Sequence, residues 1–152
     1  QKNNADIAHD VAPMAAEMGY NVSMEYLEKV VACMKERVVF HKDILADGYY
    51  FFEPVKQYDE EAMKKRWAAD KKISLDAVIN HLEQQNDTLA TEIEEKMKHF
   101  MQESGIKGGD ILPLFRLALA GTMKGPGVFE MMEVLGKSNA MERLRKFSSL
   151  PT

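Results

Sequence analysis

Residues 88–105 read Thr-Leu-Ala-Thr-Glu-Ile-Glu-Glu-Lys-Met-Lys-His-Phe-Met-Gln-Glu-Ser-Gly. Leu89, Ile93, Met97, Phe100 and Met101 recur there at the spacing of one helical face. Polar and charged side chains fill the other faces, and Gly105 is a natural stop. The spacing predicts a helix over 88–103, and the same period governs its flanks. Leu27, Val30, Val31, Met34 and Val38 line one face of a helix predicted over 24–40, with Ser23 as its N-cap. A short helix over 41–47 is expected to stop at Gly48. Asp59, Ser74, Asp110 and Ser138 are each suited to cap a helix, ending near residues 68, 85, 120 and 147. Pro113 falls in a first turn, where its missing N–H costs little. Gly125-Pro126-Gly127 opens a helix through Leu135, closed by Gly136. Residues 3–18 are expected to be helical, broken or restarted at Pro13. The run Tyr49-Tyr50-Phe51-Phe52-Glu53-Pro54 reads as an aromatic plug closing a small core. No convincing alternating strand occurs, so the fold class is all-α, with eight or nine short helices.

The chain has 152 residues, with 20 Lys+Arg, 24 Asp+Glu and a formal net charge of −4. That length holds one domain or two small ones. Two helical subdomains are expected, 1–70 and 71–152, joined by the weak link at 68–74. At 45% hydrophobic and 29% charged, the composition is that of an ordinary folded chain. No run of 18 apolar residues is present, so no membrane span is expected. The lone Cys33 and the lack of a basic-then-apolar leader fit a reducing, cytoplasmic setting. A first residue of Gln1 rather than Met suggests an excised piece or a processed protein.

An acidic balance argues, by itself, against a nucleic-acid binder. The charge is uneven, however. Residues 1–95 hold 11 basic and 19 acidic groups, whereas residues 96–152 hold 9 and 5. The last third is therefore a local basic surface or, more simply, a set of cation-rich helix ends.

No catalytic constellation assembles. His9, His41, His81 and His99 form no metal-ligand pair, and one cysteine cannot build a thiolate site, so no metal is expected. Glu94 and Glu95 are adjacent, hence roughly 100° apart on a helix, and read as a solvated face. No phosphate loop, dinucleotide fingerprint or nucleophile elbow occurs. Among the 11 methionines, Met34, Met97, Met101 and Met131 lie at core spacings and read as packing. Lys64-Lys65-Arg66-Trp67 reads as a solvated helix end in preference to a nucleic-acid contact.

The stretch 105–144 carries a more specific signal. It contains Pro113-Leu-Phe-Arg-Leu-Ala-Leu-Ala-Gly121, then Gly125-Pro-Gly-Val-Phe-Glu130, then Val134-Leu-Gly-Lys137 and finally Glu142-Arg-Leu144. This resembles the C-terminal, anticodon-binding region of bacterial glutamyl-tRNA synthetases, class I aminoacyl-tRNA synthetases, in order and in spacing. Tyr26-Leu27, Met34-Lys-Glu-Arg37 and the aromatic run 49–52 resemble the family more loosely. Pro113 falls one position early, while Phe115 and Ala120 replace the usual leucine and threonine. The ATP-handling signatures His-Ile-Gly-His and Lys-Met-Ser-Lys occur nowhere.

The resemblance implies two small helical subdomains forming an anticodon-binding cage, with no catalytic residue, metal or cofactor of their own. It implies an intact ligase that attaches glutamate to tRNA with ATP and Mg²⁺, its catalytic domain lying upstream. The partner it implies is the anticodon arm of glutamate tRNA. Arg37 matches the family arginine that reads the first anticodon base, and Arg116 the arginine near the third. Gly125, Pro126, Gly127 and Val128 match the loop that meets the RNA; Phe129 can stack on a base or pack in the core. Lys98 and Lys124 are candidate phosphate contacts. The alternative is a helical protein-interaction module whose Met-rich grooves take partner helices.

Overall fold

In a computed structural model, residues 2–152 are described, and they form two compact units, 2–54 and 55–152. Among the described residues there are nine α-helices, two short 3-10 turns and no strand.

The first unit contains α1 (Asn4–Glu17), α2 (Met24–Met34) and α3 (Asp43–Asp47). Asn3 and Ser23 cap α1 and α2 through their side-chain oxygens, as short polar residues before helices do. Helix α1 passes through Pro13 without a break. Ile7, Ala8, Val11 and Ala15 of α1 are buried, as are Leu27, Val30, Val31 and Met34 of α2. The helix expected to reach residue 40 ends at Met34. A 3-10 turn, Lys35–Arg37, follows, and Val38 is extended. No residue of the turn Lys35–Arg37 is buried and Val38 is only partly so, which leaves little packing to extend the helix past Met34. A second 3-10 turn, Tyr49–Phe51, buries Tyr50 and Phe51, so these two rings of the aromatic run plug the core, while Phe52 is half-buried and Tyr49 is exposed. Tyr20 stacks on Phe52 at 4.7 Å between ring centroids, and its hydroxyl donates to Glu53.

The second unit contains α4 (Glu60–Arg66), α5 (Ala69–Glu83), α6 (Ala90–Ser104), α7 (Gly108–Ala120), α8 (Val128–Leu135) and α9 (Lys137–Ser148). Asp59 caps α4 by accepting from the Ala62 N–H at 2.9 Å. Ser74, Asp110 and Ser138 cap nothing: each lies inside its helix, which starts earlier than the capping signal implied. The stretch 68–74, expected to be a link, is the start of α5. The compact units accordingly meet at residues 54 and 55 rather than at 70 and 71. Packing explains the difference. Trp67 lies against Phe147 of α9, 4.9 Å between centroids, and donates its indole N–H to the Pro151 carbonyl. The residues just before α5 thus belong to the second core.

Helix α7 is the centre of that core. Ile111, Leu114, Phe115, Leu117, Ala118 and Leu119 are all 0% exposed. Helices α4, α5, α8 and α9 pack around it. It ends at Gly121, whose φ of +76° is a left-handed conformation that glycine adopts without strain. A Cβ at this position would come 2.4 Å from the Gln57 carbonyl oxygen, and that neighbour is backbone.

Gly121→Ala is therefore expected to destabilise the chain by about 2–4 kcal/mol, combining left-handed strain with the clash. Urea denaturation should show a lower midpoint with the same slope. The Tyr20 phenol gives a second prediction. Burial, followed by the hydrogen bond to Glu53, pushes its pKa up to about 12. A raised pKa means the fold favours the neutral phenol. That stabilisation is full below the ordinary value of about 10 and is lost as pH climbs through the folded value. Ultraviolet titration of Glu53→Ala, which removes both the acceptor and the charge, should bring this tyrosine back toward the ordinary value, leaving only the burial contribution.

Candidate nucleic-acid interface

Arg37 closes the 3-10 turn of the first unit, with its side chain exposed. No hydrogen bond or ion pair engages it among the described residues. Its guanidinium, a fork of N–H donors with no acceptor, is presented to solvent. The turn lies between α2 and α3, two helices whose buried faces hold it in place.

The remaining candidates lie in the second unit. Arg116 stands on α7, half-buried, and its Nη1 donates to the Gly125 carbonyl at 3.3 Å and the Pro126 carbonyl at 2.8 Å. These bonds tie the loop between α7 and α8 back onto the central helix. Pro126 and Val128 are buried and anchor the loop from within. Gly125 has φ +122°, again a conformation suited to glycine. Gly127 differs: its φ is −59°, which any residue adopts. A Cβ there would meet only the Glu130 carboxylate, at 3.2 Å, a flexible and exposed group. The fold itself does not demand a glycine at 127. No side chain caps α8, and the first N–H groups of a helix have no intrahelical partner.

Phe129 is half-buried, which leaves part of its ring accessible. Lys124 is exposed beside this loop. Lys98 stands on α6 and is already paired with Glu94 at 2.6 Å, one helical turn away. Arg116 and the 125–129 loop are thus one assembly, while Lys98 belongs to a solvated helix face. The basic run Lys64-Lys65-Arg66 likewise lies in the last turn of α4. Among the described residues no cluster of His, Cys, Asp or Glu can hold a metal.

Residues 6–148 match the family model described as anticodon binding domain. The chain belongs to that family. Its relatives include a glutamate–tRNA ligase of Parabacteroides distasonis, 34% identical over 96% of this chain and 29% of the relative. A glutamate–tRNA ligase of Pelodictyon phaeoclathratiforme is 39% identical over 82% of the chain and 25% of the relative. Among solved structures, a glutamate tRNA ligase from Elizabethkingia meningosepticum, in complex with its amino acid, superposes with a TM-score of 0.90 at 32% identity. That alignment covers 97% of this chain and 29% of the neighbour. The chain thus spans less than a third of the length of these relatives, and the helical anticodon-binding domain is the part it matches.

Sequence reasoning did not single out one group of this domain. Val39, Phe40 and Tyr49 are exposed, at 87%, 61% and 42%. Val39 and Phe40 had been counted inside a helix, and only its early end at Met34 releases them. The mixture of cations and apolar residues at 37–42 was the available signal.

The Arg116 bonds carry a prediction. Arg116→Met keeps the stem and removes the donors, and should cost about 1–2 kcal/mol of stability. Hydrogen exchange should quicken at the amides of 125–129 while those of α7 stay protected.

Proposed function

We propose that this domain reads the anticodon of glutamate tRNA on behalf of a glutamate–tRNA ligase. The ligase reaction belongs to the whole protein: glutamate is activated with ATP and Mg²⁺ and passed to the tRNA. The domain itself binds RNA and performs no chemistry, its neighbour being a catalytic domain upstream, in the cytoplasm. No helix among the described residues is long and apolar enough to cross a membrane, which is compatible with that setting.

The observation that carries this reading is Arg37, an exposed arginine without an ion pair among the described residues, on a domain of the anticodon-binding family. Glutamate anticodons begin with C or U and continue U-C. Anticodon loops splay single bases, the form in which proteins read RNA sequence. Cytosine offers two neighbouring acceptors, O2 and N3, which match the donor-only fork of a guanidinium. Guanine offers N1–H and N2–H and would meet donor with donor. A glutamine in this position has both functions and discriminates less.

The second half of the reading is the α7–α8 loop. Arg116 is proposed to act near the third base chiefly by positioning that loop, since its Nη1 bonds go to the loop carbonyls. The missing side chain at Gly127 leaves room for a base to approach the uncapped start of α8. The Glu130 carboxylate beside it disfavours a phosphate there, so base edges fit better than backbone. Phe129 and Lys124 border the same loop as stacking and phosphate candidates. Lys98, compensated by Glu94, contributes at most weakly. On this reading both units serve recognition.

Titration with glutamate tRNA should show binding that falls with salt and drops when the anticodon is altered. The loss of one bidentate base contact corresponds to roughly 1–3 kcal/mol. Equal affinity for an anticodon-altered tRNA would overturn the proposal. In the whole ligase, Arg37→Gln should allow charging of glutamine tRNA whose anticodon starts with U, and unchanged selectivity would remove Arg37 from its role.

A further inference from the structure

Residues 37–42 read Arg-Val-Val-Phe-His-Lys, and this turn between α2 and α3 is unlike the rest of its unit. Residues 1–54 carry five lysines and arginines against nine acidic residues, yet three of those five cations fall within 35–42. Arg37, His41 and Lys42 are all exposed. Between them stands Phe40, the one exposed phenylalanine among seven, at 61%. The others are buried or partly buried, as apolar rings in a folded chain are. The backbone that carries the Phe40 ring is held by two hydrogen bonds. The Phe40 carbonyl accepts from the Asp43 N–H at 2.9 Å, and the His41 carbonyl accepts from Ile44 at 3.1 Å. Ile44 and Leu45 are 0% and 1% exposed and anchor α3 underneath. The Lys42 ammonium stands over the Phe40 ring, 5.6 Å from its centroid.

We propose that Phe40, with the Lys42 ammonium over its ring, is a stacking platform for one unpaired base of the anticodon loop. The inference rests on the anticodon reading above and assigns it a further base-holding contact. Every nucleobase has a π-face, so an aromatic ring beside cations is the usual device for holding single strands. Lys42 polarises the ring from one side and reaches toward the adjoining phosphate. A protein partner fits less well, because interface cores are depleted of charge, whereas here an ammonium stands over the apolar ring. Glu36 and Asp43 flank the turn and limit its attraction to a few phosphates, so the ring contributes more than the charge does.

The test uses this 152-residue chain and an RNA hairpin carrying the glutamate anticodon loop, with 2-aminopurine at each loop position in turn. Binding should quench the probe at one position by stacking. Phe40→Leu keeps apolar bulk and removes the aromatic face. It should weaken binding by roughly 5- to 150-fold and abolish the quench. Phe40→Trp should restore both. Lys42→Ala should weaken binding to all loop sequences alike and lower the salt slope by about one. The unfolding midpoint of Phe40→Leu should match that of the parent, because the ring is exposed. Parent-like RNA affinity in Phe40→Leu, with anticodon discrimination intact, overturns this inference and leaves the anticodon reading standing. No anticodon discrimination by the parent chain overturns both. A loss of stability in the whole ligase without a change in RNA affinity assigns Phe40 to packing within that protein and overturns the platform.

Discussion

Helix α7 is apolar over most of its surface, and only a ring of neighbours can keep such a helix out of water. Full burial of each large side chain contributes roughly 1.5–3 kcal/mol. Its ends are where the cost falls, since the last carbonyls of a helix lack intrahelical partners. Here the chain supplies them. The Gly121 N–H bonds back to Leu117, and the Asp59 N–H takes the Gly121 carbonyl. Arg143, 8% exposed, donates to the Leu119 carbonyl at 2.6 Å and to Asn139. The Arg143-Leu144 pair that the resemblance picked out as a closing motif is thus a device for ending α7, with Leu144 in the core.

From this constraint the geometry of the loop between α7 and α8 follows. It leaves one buried helix at Gly121 and enters another at Gly127, so both of its ends are fixed. Arg116, on α7 itself, holds the loop's carbonyls from the side. A loop braced at both ends and at its middle loses little freedom when a ligand arrives, which is how a recognition loop keeps affinity.

A net charge of −4 sits well with reading bases as opposed to phosphates. Duplex binders draw affinity from many phosphate contacts and need a basic face. An anticodon reader instead matches donors, acceptors and ring faces to a few splayed bases. Three features suit that economy: an exposed arginine at 37, an exposed ring at 40 beside one ammonium and a glycine opening at 127. Scattered surface pairs such as Lys98–Glu94 and Lys72–Asp76 keep the rest of the surface neutralised.

Helical period and glycine punctuation determined the fold class, the buried face of α2, the Ile93–Met97–Met101 face of α6 and the stops at Gly105, Gly121 and Gly136, because these depend on neighbours within one or two turns. The motif over 105–144 was also legible as a resemblance, in spacing and in residue type. Caps were less legible. Ser74, Asp110 and Ser138 are good capping residues that lie within helices, since packing extended α5, α7 and α9 past the local signal. The compact-unit limit at residue 54 depended on Trp67 meeting Phe147, a contact between residues 80 positions apart in sequence. That Arg116 braces a loop, and that Phe40 is exposed beside Lys42, were decided only by tertiary structure. Both are facts of where separate elements come to rest, and no local spacing encodes them.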